Sequence, residues 1–114
     1  MTELPDHCEP CTSDTRALSE AEARANAADC RAWELDLEAP ALRRRFRPRD
    51  FRAALAWINR VGMLAEQENH HPDIHLTGWN GVELVLATHS IGGLSVNDFV
   101  LARKIDRLAA KDGL

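Results

Sequence analysis

The sequence predicts an α+β fold: a four-stranded antiparallel sheet with two helices packed on one face and a peripheral N-terminal helix. Three observations carry this. The apolar period switches between two residues and three or four along the chain. Two pairs of candidate strands are each joined by a short connection. Three stretches open on a capping residue and continue at helical spacing. A chain of 114 residues, 45% hydrophobic, can enclose one core and is too short for two. Residues 1–17, with two prolines, scattered charge and no periodicity, are expected to be a flexible leader, and 18–114 the single domain.

The first helix starts after Ser19, which forms a capping box with Glu22, and its Ala-rich run reaches about Asp29. With few large apolar residues it should pack weakly. Trp33, Leu35 and Leu37 alternate with Glu34, Asp36 and Glu38, the pattern of a half-buried strand that Pro40 ends. Leu42, Arg44 and Phe46 alternate with three further arginines, so a second strand pairs back as a hairpin, with Arg44 interrupting its apolar face. Pro48 and the capping Asp50 open the second helix, for which Phe51, Leu55, Ile58, Val61 and Ala65 form the expected buried stripe. Trp57, Met63 and Leu64 widen the apolar arc and suggest a second covered surface.

Pro72 disfavours helical geometry at His71, so this helix should end near Asn69 or His70. Ile74–Leu76 reads as a short strand. Asn80-Gly81 is a two-residue hairpin signal, and Val82–Thr88 is the returning strand. Gly92-Gly93 breaks the pattern, and Ser95 with Asp98 caps the last helix, which buries Phe99, Ala102, Ile105 and Leu108 and runs to about Lys111.

The net charge of -4 is uneven: -7 over residues 1–39, +6 over 40–64 and -3 over 65–114. An acidic chain argues against nucleic acid as the main ligand. The six arginines among residues 43–52 read as a solvated strand face opposite the acidic strand 33–38. No run of eighteen apolar residues predicts a membrane span, and the N-terminus has neither the basic start nor the apolar centre of a signal peptide. The expectation is a cytoplasmic protein. Cys8 and Cys11 form a Cys-x-x-Cys beside His7, but no second pair completes a zinc site, and a polar leader is the wrong context for a redox helix.

The chemistry concentrates at Glu66 to Ile74, the one stretch where histidines and carboxylates crowd at a helix end. Glu66 and His70 are four apart, so on a continuous helix the carboxylate would orient the imidazole. A two-residue turn at Asn80-Gly81 sets His89 opposite Pro72, beside His71, and a single bulge or a looser turn around Gly78 would set it opposite His71 itself; directly opposed Cβ atoms lie roughly 4.5–5.5 Å apart, so the rings can line one cleft in either register. Three imidazoles lining one cleft suit acid-base elimination from a small molecule: one ring protonates a leaving hydroxyl and another takes a proton from a neighbouring nitrogen. Pro72 breaks the helix that would align His71 and His75 as metal ligands, so no metal is expected.

Glu66, then His70-His71-Pro72 after three residues, Trp79 after six, His89 after nine and Asp98 after eight together resemble the pterin-4a-carbinolamine dehydratase family. The resemblance implies dehydration of 4a-hydroxytetrahydrobiopterin, released by aromatic amino acid hydroxylases, to quinonoid dihydrobiopterin and water in tetrahydrobiopterin recycling. It implies His70, His71 and His89 as catalytic residues, and Glu66, Pro72, Thr88, Ser90 and Asp98 as residues that line or orient the pterin site. The pterin is the substrate and no cofactor is implied. Partners would be further copies of the chain, as a homodimer or homotetramer, with a functional link to phenylalanine hydroxylase. Position 79 is Trp where members often have Tyr. Some proteins of this fold act instead as non-catalytic binding or dimerisation modules, which is the alternative reading.

Overall fold

The computed structural model of the chain describes residues 4–10 and 15–114. Helix α1 (Glu20–Ala27) precedes strands β1 (Glu34–Asp36) and β2 (Ala41–Phe46), the long helix α2 (Phe51–Glu68), strands β3 (Asp73–Thr77) and β4 (Gly81–Leu86), and helix α3 (Val96–Lys111). A 3-10 turn at His89–Ile91 links β4 to α3. The strands form one antiparallel sheet in the order β1-β2-β4-β3, so the α+β class and the two hairpins are as expected. Ser19 caps α1 reciprocally with Glu22, and the Asp50 side chain accepts the Ala53 N–H at the start of α2.

The pairing of β2 with β4 sets Leu42 against Leu86, Arg44 against Leu84 and Phe46 against Val82. Since side chains alternate along a strand, these six share one face. Five are apolar and buried, and they join Trp57 and Val61 of α2 and Phe99, Leu101 and Ile105 of α3 in the core. Arg44, the interruption on that face, reaches Asp106 of α3 at 2.5 Å, its guanidinium lying 4.3 Å from the centre of the Phe46 ring. Asp106 also accepts the Trp33 indole N–H at 2.7 Å, so one carboxylate ties the first hairpin to the last helix. The neighbouring arginines find other partners, Arg43 at Asp36 across the hairpin and Arg45 at Glu83 on β4.

Three local expectations are corrected. The buried stripe of α2 is Ala54, Trp57, Val61, Ala65 and Glu68, while Phe51, Leu55 and Met63 are 50%, 42% and 68% exposed. The helix is rotated so that its largest ring, Trp57, is enclosed beside Phe46, with centroids 4.9 Å apart; burying the largest apolar surface outweighs several smaller side chains. The β3–β4 turn holds three residues, Gly78, Trp79 and Asn80, because Thr77 pairs with Gly81. Asn80 is buried and donates to the Pro48 carbonyl at 2.7 Å, and Gly78 supplies the left-handed residue, with φ of 62°, that lets the chain reverse. Finally, β4 stops at Leu86 rather than continuing to Thr88.

The described part of the leader is packed rather than loose. Leu4 is buried in the core, the Cys8 N–H donates to Glu68 at 2.7 Å, and Glu9 exchanges two hydrogen bonds with Asn97. Burial pushes the Cys8 thiol up to about 12, with the Glu68 charge adding to it, so it is not a thiolate at neutral pH. Cys11 lies outside the described residues. Burial likewise raises the Cys30 thiol to about 11.

Desolvation pushes the Glu68 carboxyl up, but the Cys8 N–H, His7 and Lys104 outweigh it and hold it at about 2 against an ordinary 4.5. A carboxyl depressed on folding stabilises fully above its unfolded value, and that contribution is lost as pH falls from about 4.5 through about 2. Urea unfolding at pH 6 and pH 3 should therefore show the stability gap between wild type and Glu68→Gln shrink on acidification, from an upper limit of about 3 kcal/mol. A gap of equal size at both pH values would contradict this assignment.

Candidate active site

Helix α2 ends where Asn69 adopts a left-handed conformation, φ 50° and ψ 39°. Asparagine accepts this geometry more readily than most residues, and it is the only non-glycine with positive φ among the described residues. The turn takes His70 off the helical path, so Glu66 and His70 do not meet at helical spacing as expected. His70 Nε2 instead lies 2.6 Å from Asp98 Oδ1. It is His71 whose Nε2 approaches Glu66 Oε1, at 3.1 Å.

Asp98 is the third residue of α3, close to the helix start where an anionic side chain is favoured, and it is completely enclosed. Its Oδ2 accepts the Thr88 hydroxyl at 2.8 Å and the Ser95 N–H at 2.9 Å. The Ser95 hydroxyl lies 2.8 Å from the Thr88 oxygen; as Thr88 donates to Asp98, Ser95 donates to Thr88. The capping role read for Asp98 and its contact with a histidine therefore coexist, one oxygen for each. Thr88 is held in place by its bridge to Gly93. The carboxylate needs this set, because a buried anion without donors costs several kcal/mol.

Asp98 as acceptor fixes the His70 tautomer: Nε2 carries a hydrogen, and Nδ1, with no hydrogen-bond partner among the described residues, is left to meet a ligand. His70 is mostly buried, whereas the His71–Glu66 pair is 54% and 79% exposed and so contributes little to stability. His71, Glu66 and Pro72 line an open groove with Ile58, Met63 and Ile74. His89 and Ser90 are exposed on the 3-10 turn directly after Thr88.

The structure thus brings His70, Thr88 and Asp98 into one bonded cluster. It sets His71, Glu66 and Pro72 beside it along the chain, and mounts His89 and Ser90 on the adjoining turn. The expected pairing of His89 with Pro72 is corrected, because the three-residue turn shifts the register to Asp73 opposite Val85 and His89 lies beyond the strand. Ser95 joins the network although its sequence signal was only that of a cap. Among the described residues, no group of three or more His, Cys, Asp or Glu side chains is arranged to hold a metal ion.

Asp98→Ala would strand the Thr88 hydroxyl, the Ser95 N–H and the His70 ring, at an expected cost of about 3–5 kcal/mol in chemical denaturation. Nitrogen-15 shifts of the His70 ring in wild type should report the Nε2–H form at alkaline pH. An Nδ1–H ring would refute the tautomer.

Comparison with known proteins was made against this geometry. A sequence profile described as "Pterin 4 alpha carbinolamine dehydratase" matches residues 16–108. An Arabidopsis thaliana protein named mitochondrial pterin-4-alpha-carbinolamine dehydratase 2 is 43% identical over 108 residues, which cover 92% of this chain and 58% of that longer one. A Rubrobacter xylanophilus protein whose name gives it the same activity is 46% identical over 109 residues, covering 95% of this chain and all of its own. The crystal structure of a transcriptional coactivator/pterin dehydratase from Brucella melitensis superposes with a TM-score of 0.75 at 30% identity, covering 82% of this chain and 99% of that one. A profile match over most of the chain, relatives above 40% identity and a shared fold agree: the chain belongs to the pterin 4 alpha carbinolamine dehydratase family.

Proposed function

We propose that this protein dehydrates 4a-hydroxytetrahydropterins, with 4a-hydroxytetrahydrobiopterin the expected substrate, by histidine acid-base catalysis. The observation that carries the reading is the 2.6 Å bond from His70 to the enclosed Asp98, which occupies one ring nitrogen and leaves the other without a protein partner among the described residues, in a chain of this family. The reaction needs two proton transfers. An acid delivers a proton to the 4a-hydroxyl as the C4a–O bond breaks and water leaves. A base removes the N5 proton as the N5–C4a double bond forms, giving the quinonoid dihydropterin. Positioned proton donors and acceptors each contribute about 10²–10⁴-fold.

His70 is assigned as the base, with Nδ1 accepting the N5 proton and Asp98 holding the ring at its other nitrogen. His71 and His89, both more exposed, are assigned to the leaving hydroxyl and to holding the ring. Thr88 serves through Asp98, and Glu66, Pro72 and Ser90 line the approach. The chemistry uses no cofactor, the pterin being the substrate. A hydroxylase acting on an aromatic amino acid, such as phenylalanine hydroxylase, would supply it.

The exposed stripe Phe51, Leu55 and Met63 on α2 favours a second role for part of the surface. Exposed apolar side chains on one helix are a common part of an interface between copies, and homodimers or homotetramers would cover them. The non-catalytic binding-module alternative shares that surface but gives the second ring nitrogen of His70 no task.

Carbinolamine generated by a hydroxylase should lose its absorbance faster when this protein is added. The double variant His70→Ala/His71→Ala should lower the rate at least about 100-fold while leaving the far-ultraviolet dichroism unchanged, and His71→Ala and His89→Ala singly separate acid from positioning ring. Full turnover in the double variant would remove the site assignment. No turnover in wild type would leave the binding-module reading.

A further inference from the structure

Behind the His70–Asp98 bond lies a second polar cluster that the chemistry above does not use. Glu68 is the last residue of α2, two before His70, and its side chain is 4% exposed. Asn97, immediately before Asp98 on α3, is also buried. Residues His7, Cys8 and Glu9 run between them. The Cys8 N–H donates to Glu68 Oε1 at 2.7 Å. The Glu9 N–H donates to Asn97 Oδ1 at 2.8 Å, and Asn97 Nδ2 donates back to the Glu9 carbonyl at 2.5 Å. Lys104 of α3 closes the arrangement, its ammonium 3.2 Å from Glu68 Oε2, which the His7 ring also approaches, at 2.9 Å.

Two consecutive backbone amides, Cys8 and Glu9, thus hold side chains on the two elements that bring His70 and Asp98 together. Each of those side chains is within two residues of the group it would control. The elements have a reason to need such a tie. The α2 end is a single left-handed residue followed by irregular chain, and a bond of 2.6 Å between two such elements fails with a displacement of well under 1 Å. A buried carboxylate is also a costly way merely to fasten a leader, since an apolar contact would serve with no desolvation cost.

We propose that Glu68 and Asn97 are positioning residues for the His70–Asp98 pair, with the segment His7–Glu9 as the clip that joins them. This rests on the assignment of His70 and Asp98 to the dehydration site. It gives the His7-Cys8 part of the leader motif a role without metal or redox chemistry: the Cys8 N–H binds Glu68 at 2.7 Å, while the thiol's 3.5 Å approach to the Asn97 carbonyl is a weak contact on which the clip does not depend.

The test uses the full-length chain carrying Glu68→Ala, Glu68→Gln, Asn97→Ala or Cys8→Ala. Glu68→Ala and Asn97→Ala should each lower kcat about tenfold or more with KM within about twofold, the signature of a misplaced group rather than a lost substrate contact. Glu68→Gln keeps an oxygen for the Cys8 N–H and should recover part of the loss. Cys8→Ala keeps the N–H and should retain wild-type turnover. In parallel, the ring signals of His70 should move in the two alanine variants and stay in place in Cys8→Ala. Folded Glu68→Ala, Glu68→Gln and Asn97→Ala proteins with unchanged kcat and unmoved His70 signals overturn the proposal, as does a fall in melting temperature alone. Should wild type show no turnover, the dehydratase reading fails by itself, and the His70 signals still decide whether the clip holds that ring.

Discussion

An enclosed carboxylate must find its donors within the protein, and for Asp98 they come from three separate segments: the end of β4, the start of α3 and the chain just past α2. That requirement binds the second half of the molecule together. If α3 began one residue later, the carboxylate would turn away from Thr88. If β4 ran straight on, no hydroxyl would stand at that point. A histidine is the only one of the three partners with a second ring nitrogen, so the same bond that satisfies the carboxylate leaves that nitrogen without a protein partner among the described residues.

The first half of the molecule is held by a parallel device. Asp106 accepts both the Trp33 indole and the Arg44 guanidinium, fixing the β1–β2 hairpin to α3. One helix therefore presents two such carboxylates, Asp98 in its first turn and Asp106 about two turns further on. Of the six arginines among residues 43–52, Arg43, Arg44 and Arg45 pair with carboxylates on β1, α3 and β4.

Elements were legible where the signal is local. Ser19 and Asp50 each mark a helix start by accepting a backbone N–H three residues on, Asp98 does so by accepting the Ser95 N–H, and burial alternates residue by residue along β4. Most of the departures are places where a distant contact overrode a local preference. Asn80-Gly81 reads as a two-residue turn until Asn80 is drawn to the carbonyl of Pro48, thirty-two residues earlier. The α2 stripe was misplaced because Trp57 finds Phe46 on another element. Glu68 was overlooked because its partners Cys8 and Lys104 lie 60 and 36 positions away. For the candidate site, residue types and their spacing were readable and the pairing was not: Glu66 was matched to His70, while one backbone angle at Asn69 hands it to His71.

That angle separates two chemically identical neighbours. On an uninterrupted helix His70 and His71 would point about 100° apart round the axis, in similar helical surroundings. With the chain reversed at Asn69, one ring is anchored in a dry environment and the other is tethered in water, so adjacency in the chain confers no redundancy. A tandem of like residues is here an asymmetric instrument, and the asymmetry belongs to the backbone rather than to the side chains.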